Sequence, residues 1–262
     1  MMKNNILILS AGRRVELVQD FQAEAAKFSD GLKVLTTDLN PKMSSACQVS
    51  DGSFTVPRID SPEYIDSIFD LAVRESIGLI IPTIDTELQK LAEARTRFES
   101  AGIHIIVSDS SLVNACRDKR NTVALFNHYG ISCPEIYRPD NIQFPCFAKP
   151  YDGSRGIGTQ AVHSKEELTE ELLNDPKMMF CQLIDIKNTF HEFTVDIYYD
   201  KQGRLKCAVP RERLEVRSGE VSKGATRKGW LYDFLVKKLS MVEGARGCLT
   251  AQFFYHDASQ TI

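Results

Sequence analysis

The sequence predicts an α/β region followed by an α+β region, with a helical stretch between them. Three observations predict it. Short apolar runs alternate with helically spaced segments from Ile6 to Val107, the pattern of a parallel sheet covered by helices on both faces. From Cys146 onward the grammar changes to longer strands, hairpins and few crossovers. The linking segment, SLVNACRDKRNTVALFNHYGISCPE, reads as helix, broken near Arg117 and Asp118 and stopped at Gly130 with Pro134 beyond it.

In the first region, residues 6–9 (ILIL) form a fully apolar run that ends in Ser10-Ala11-Gly12, as a buried parallel strand and its turn do. Val15, Leu17, Val18, Phe21, Ala25 and Phe28 follow at helical spacing. Strands are expected at 33–37, 78–81 and 104–107, with helices capped at Ser61 and at Asp85 and another starting near Asp109. Ligands of such sheets sit beyond the carboxyl ends of the strands. Ser10, Gly12, Arg13, Asp38, Thr83, Asp85 and Glu87 fall there. Arg13 and Arg14 read equally well as a site for an anionic group and as a solvated helix start.

The chemistry centres on residues 146–162, CFAKPYDGSRGIGTQAV, read as strand, glycine-rich turn and strand. Three glycines, Gly153, Gly156 and Gly158, let the backbone approach a ligand, and consecutive N–H groups make an anion-binding concavity. Lys149 at the end of the incoming strand adds a point charge. The pattern fits a phosphate cradle, and equally a hairpin turn whose glycines serve only positive φ. It is neither the G-x-G-x-x-G dinucleotide fingerprint nor a G-K-[ST] P-loop. After it come a capping box at 164–167, a strand at 178–185, a hairpin of 192–199 and 205–210, an exposed loop over 210–229, a helix at 230–242 and a strand at 248–255.

Composition bounds the function classes. With 262 residues, 43% apolar and 26% charged, the chain is long enough for two domains. A formal net charge of −3 and the absence of a Lys/Arg-rich tract argue against nucleic acid as a partner. No apolar run is long enough for a membrane span, and MMKNNILILSAGRR, with its four-residue apolar core, does not read as a signal peptide. Seven scattered cysteines without a C-x-x-C read as reduced thiols of a cytoplasmic protein. The five histidines show no metal-ligand spacing.

In this order and spacing the motifs resemble the ATP-grasp superfamily, and within it the carbamoyl-phosphate-synthetase-like carboxylate–amine ligases. SAGRR, TTDLNP and GLIIPTIDTEL are similar to the domain that precedes the ATP-grasp module. DKRNTVALFNHYGISCPE is similar to the helix entering it, and FAKPYDGSRGIG to its lysine strand and phosphate loop. FCQLID is similar to its adenine hinge, HEFTVDIYY to the next strand, and PRERLEVRSGEVSKG to the loop at the acyl-phosphate site.

The resemblance implies a pre-ATP-grasp, Rossmann-like domain over 1–112. A small lobe over 113–187 and a large lobe over 188–262 would follow, the latter lacking its last strands. It implies phosphate contacts from Lys119, Lys149, Gly153, Ser154, Arg155 and Gly156, adenine contacts from Gln182, Leu183 and Asp185, and ribose contacts from Glu192. Lys223 and Arg213 would face the reacting groups, together with Arg211 and Arg217, and Gln252 would be one magnesium ligand.

ATP and Mg2+ are thus the implied cofactors, a small carboxylate and an amine the implied substrates, and a homodimer through the first domain the implied oligomer. Family members carry a further glutamate and asparagine on a strand that would begin past Ile262. The chain is therefore expected to be truncated, with an incomplete metal site and impaired catalysis. A nucleotide-binding regulatory or scaffold protein is the alternative.

Overall fold

The computed structural model describes residues 4–28, 31–153, 156–186, 189–217 and 220–262. The chain divides into two compact units, Met1–Val113 and Asn114–Ile262.

The first unit is built on five parallel strands: β1 (Asn5–Ile8), β2 (Val34–Asp38), β3 (Gly52–Thr55), β4 (Ile77–Ile81) and β5 (His104–Ile105). Their order is β3-β2-β1-β4-β5, so the direction of strand addition reverses between β1 and β4. Helices α1 (Val15–Ala25), α2 (Ser45–Val49), α3 (Tyr64–Arg74) and α4 (Asp85–Ser100) connect the strands.

Two separate cores explain the unbroken apolar run at 6–9. Leu7 and Leu9 join Tyr64, Ile68, Leu91 and Phe98 in one. Ile8 joins Val18, Ala25, Val34 and Cys47 in the other. Successive residues of a strand point to opposite faces, and both faces here are covered.

Asp85 does not cap α4. The N-cap is Ile84, and Glu87 reaches back to accept from the N–H groups of Thr83 (2.8 Å) and Ile84 (3.2 Å). α3 likewise has Glu63, not Ser61, at its N-cap. The strand expected over 104–107 is paired only at His104 and Ile105. β3 (GSFT) has one large apolar residue, Phe54, and so carries no strand pattern in the sequence.

The second unit starts with α5 (Ser110–Arg117, shared with the first) and α6 (Lys119–His128), which are separated at Asp118 as expected. The Asp118 side chain caps α6 by accepting from the Arg120 N–H (2.9 Å). A four-stranded antiparallel sheet follows in the order β6-β9-β7-β8: β6 (Ile136–Tyr137), β7 (Cys146–Pro150), β8 (Gln160–Val162) and β9 (Met178–Gln182). Cys146, Ala148, Val162 and Phe180 form its core, with Leu168 and Leu172 packed against them. The capping box at 164–167 is instead a 3₁₀ turn, and Thr169 caps the short α7 (Glu170–Asn174) by accepting from the Leu172 N–H.

The last sheet is antiparallel, in the order β12-β11-β10-β13: β10 (His191–Tyr199), β11 (Leu205–Arg217), β12 (Glu220–Thr226) and β13 (Gly247–Tyr255). The segment expected as an exposed loop over 210–229 is largely a hairpin. β11 runs on through Arg217 and pairs with β12, from Arg211↔Thr226 to Arg217↔Glu220. Backbone pairing stabilises it where apolar content is low. Phe193, Val195, Ile197 and Tyr199 are buried on one face of β10. Helix α8 (Trp230–Lys238) is tied to that side by Trp230 stacked on Tyr255 (5.6 Å), and the following Leu239 carbonyl accepts from the Tyr199 hydroxyl (2.9 Å). Glu192, Thr194 and Asp196 alternate onto the other face.

Candidate functional site

The glycine-rich turn is where sequence and structure meet. β7 pairs with β8 through Cys146↔Val162, Phe147↔Ala161 and Ala148↔Gln160. Burial of Cys146 and Ala148 assigns Phe147 and Lys149 to the opposite face. The turn needs its glycines for two reasons. Gly156 and Gly158 hold φ of 68° and 71°, and a Cβ on Gly153 would stand 3.1 Å from the Cβ of Pro150. Ser154 and Arg155, expected at the tip, lie outside the described residues.

Helix α6 is pinned to the base of this turn. The Lys119 N–H donates to the Tyr151 carbonyl (3.0 Å), and the Lys119 ammonium donates to the carbonyls of Gly153 and Tyr151. The Arg120 guanidinium lies 3.8 Å from the centre of the Tyr151 ring, and Lys177 pairs with Asp152 at 2.8 Å. Burial depresses the Lys119 pKa, and the positive charges of Lys149 and Arg117 depress it further; Asp152 and Asp118 oppose them. The base of the turn thus gathers the positive charges of Lys119, Lys149 and Arg117, with the Lys119 ammonium held by backbone carbonyls.

A second group lies on the polar face of the last sheet. Glu192 pairs with Arg213 at 3.1 Å, and Arg213 Nη1 donates to Thr194 Oγ1 (3.1 Å). Thr194 stands opposite Gln252 in the β10–β13 register. One row further on, Arg211 forks onto Asp196 (Nε 2.9 Å, Nη2 2.7 Å), which also accepts from Thr250 (3.1 Å). The arginine and the glutamate expected to face different parts of a substrate are thus partners of each other. Lys223 is held at 2.6 Å by Glu215, which also holds Arg217. These pairings were readable only in the charge alternation of PRERLEVR, once that segment is taken as a strand.

The hinge residues are placed as follows. Gln182 ends β9, is exposed, and stands opposite Cys146, so its side chain belongs to the face away from Lys149. Leu183 comes just after the strand. The Asp185 carbonyl accepts from the Thr189 (3.2 Å) and Phe190 (2.9 Å) N–H groups, closing a turn. A cavity of about 430 Å³ beside the glycine turn is lined by Gly158, Gln160, Leu172, Asp175 and Met178. Gln160 and Met178 place it on the core face of the sheet, away from Lys149.

Residues 6–106 match the model of the PylC-like N-terminal domain. The chain is similar in structure to the biotin carboxylase domain of Hydrogenobacter thermophilus 2-oxoglutarate carboxylase, solved with MgADP, ADP and bicarbonate. The TM-score is 0.73 at 14% identity, over 97% of this chain and 61% of that one. The chain has the ATP-grasp fold. L-amino acid ligase from Bacillus licheniformis gives a TM-score of 0.71 at 15% identity, over 98% of this chain and 64% of that one. N5-carboxyaminoimidazole synthetase from Staphylococcus aureus, complexed with ADP, gives 0.70 at 14%, over 98% and 68%.

The chain spans about two thirds or less of the length of these proteins. No curated protein matches it in sequence. Among the described residues there is no group of three or more His, Cys, Asp or Glu side chains that could hold a metal ion, and no helix long and apolar enough to cross a membrane.

Proposed function

We propose that the chain binds ATP on its second unit and works as an ATP-dependent carboxylate–amine ligase of carbamoyl-phosphate-synthetase-like type, in the cytoplasm. The observation that carries this reading is the convergence of Lys119 and Lys149 at the glycine turn, with the Lys119 charge disfavoured until an anion arrives. In the reaction, a substrate carboxylate attacks the γ-phosphorus of ATP, giving an acyl phosphate and ADP. An amine then attacks the acyl carbon, and phosphate leaves. Phosphoryl transfer is governed by positioning and charge neutralisation, and Lys119, Lys149 and the turn amide at Gly156 supply both. Glu192 takes the ribose hydroxyls, the main chain at Leu183 and Asp185 takes the adenine edge, and Arg213 and Lys223 turn from Glu192 and Glu215 toward the transferring groups; Gln182, on the face away from Lys149, takes no part.

Magnesium is the usual companion of such transfers. Gln252 offers it one neutral oxygen and the described residues offer no acidic cluster, so these side chains do not by themselves make a magnesium site and no step is assigned to one. A regulatory nucleotide-binding protein is the second reading, favoured by the way Arg213 and Lys223 are each already held by a glutamate.

Calorimetric titration with ATP and ADP, with and without magnesium and with NAD as control, tests the binding. Release of ADP in the presence of carboxylate and amine panels separates the two readings. Adenine-nucleotide binding that weakens in Lys149→Ala supports the site, and a folded protein that ignores ATP rejects it.

A further inference from the structure

We infer that Arg14 is a second, separate anion receptor, built at the strand-order reversal of the first unit and suited to a carboxylate or phosphate group on a small molecule. Its guanidinium bridges the two strands that flank the reversal. Nη1 donates to the Ser10 carbonyl just past β1 (3.3 Å), and Nη2 donates to the Thr83 carbonyl just past β4 (2.9 Å). Open α/β sheets bind ligands at this crevice, outside the carboxyl ends of the strands. Two of the five N–H donors are thus spent on holding the fork in place, and three remain for an oxyanion.

No acidic side chain among the described residues pairs with Arg14 or with its exposed neighbour Arg13. Of the three carboxylates at this sheet edge, Asp85 is exposed at the start of α4 and makes no ion pair with Arg14, and the other two are committed elsewhere. Glu87 is fully buried and filled by four donors: the Ser10 hydroxyl (3.0 Å), the Tyr64 hydroxyl (2.8 Å), and the Thr83 and Ile84 N–H groups. Asp38 accepts from the Gly12 (3.2 Å) and Asn40 (3.0 Å) N–H groups. The protein has therefore placed a guanidinium by hydrogen bonds and left its charge without a partner.

The backbone around it is also specialised. Ser10 adopts φ of +50°, a conformation that a non-glycine residue takes at a cost and that clusters at ligand sites. Gly12 has φ of +54°, and a Cβ there would stand 3.5 Å from Arg14 Nη1. Glycine thus keeps that side of the fork open. The receptor uses no group of the glycine turn, so it stands independently of the nucleotide reading.

The test is a 15N NMR titration of the full chain with sodium phosphate and, separately, sodium acetate, against sodium chloride at matched ionic strength. We expect saturable shifts at the amides of Ser10, Ala11, Gly12, Arg14, Thr83 and Ile84, larger with whichever oxyanion the site prefers. Arg14→Gln should weaken them about tenfold, and Lys149→Ala should leave them unchanged. Arg14→Lys keeps the charge but not the fork, and should bind more weakly than the parent. The inference is overturned if these amides move no more than in chloride, or if either Arg14 variant binds as tightly as the parent. Signals from Gly153, Gly156 and Gly158 report the nucleotide site in the same spectra, so failure of one site is read apart from failure of the other.

Discussion

The ammonium of Lys119 donates to the carbonyl of Gly153, 34 residues along the chain, and thereby fixes the start of α6 to the start of the glycine turn. Lys149, on the strand that feeds the turn, lies close enough for its charge to depress the Lys119 pKa. One lysine is therefore structural as well as electrostatic, while the other has no such tether among the described residues. Lys149→Ala should lower ATP affinity about tenfold or more, corresponding to about 1.4 kcal/mol, with little change in Tm. Lys119→Ala should lower both affinity and Tm, since Gly153 and Tyr151 lose a donor. Calorimetry paired with thermal unfolding checks the contrast, and equal Tm losses in the two variants would contradict it.

The depressed Lys119 pKa also sets a pH dependence. In the folded free protein, the charged form is penalised by burial first and by Lys149 and Arg117 next. The penalty on folding is complete below the depressed pKa and disappears as pH rises toward the ordinary value of 10.5. A bound triphosphate reverses the effect and raises the pKa, so the complex holds more protons than the free protein in that alkaline window. ATP affinity should accordingly fall as pH rises through the depressed pKa, with proton uptake on binding. Titrations in buffers of different ionisation enthalpy measure that uptake, and Lys119→Ala should abolish it.

Arg213 and Glu192 should behave as a partly buried pair. Their side chains are 8% and 20% exposed, so removing one leaves the other poorly solvated. Arg213→Met is expected to destabilise the protein by about 2–3 kcal/mol. The double variant with Glu192→Gln should recover part of that loss, giving a favourable coupling in a denaturation cycle. Additive effects would show that the pair is not energetically coupled.

Much of this architecture is legible in the sequence, and the exceptions have physical causes. The run at 6–9 declared a strand covered on both sides because it contains no polar alternation at all. Asp118 marked the break between α5 and α6 because its side chain suits an N-cap and a helix interior poorly. The β11–β12 hairpin is hidden in the sequence because the charges of ERLEVR leave few apolar residues to mark a strand. The ion pairs of β11, Arg213 with Glu192 on β10 and Lys223 of β12 with Glu215, depend on the strand registers that create them. Glu87 was marked only as lying near a strand end. Its capping contacts to Thr83 and Ile84 are local, but its burial goes with the hydroxyls of Tyr64 and Ser10, which are distant in sequence.

That buried carboxylate makes its own prediction. Glu87→Ala would strand the hydroxyls of Tyr64 and Ser10 and the N–H groups of Thr83 and Ile84 inside the first unit. Each unsatisfied buried polar group costs about 1–3 kcal/mol, so this variant should be among the most destabilising single changes in that unit. Glu87→Gln keeps the shape and one carbonyl acceptor, and should cost less. Chemical denaturation ranks the two, and an alanine variant as stable as the glutamine one would mean that water replaces the carboxylate.

Glu212 supplies the acid-side counterpart. Its side chain is 13% exposed, held by Arg227 (2.9 Å) and by His191 Nδ1 (2.8 Å). Burial pushes its pKa up, but hydrogen bonds and charge from Arg227 and His191 outweigh it, and the net shift is downward. A carboxylate with a depressed folded pKa contributes stability that is present above its ordinary value of 4.5 and is lost as pH falls below that toward the folded pKa. His191 opens β10, Glu212 lies on β11 and Arg227 follows β12, so this one carboxylate ties three consecutive segments of the sheet together. Glu212→Gln should lower Tm at neutral pH and flatten the decline of stability below pH 4.5, because the variant has no proton to gain there. An acid limb as steep in Glu212→Gln as in the parent protein would assign acid unfolding to other carboxylates.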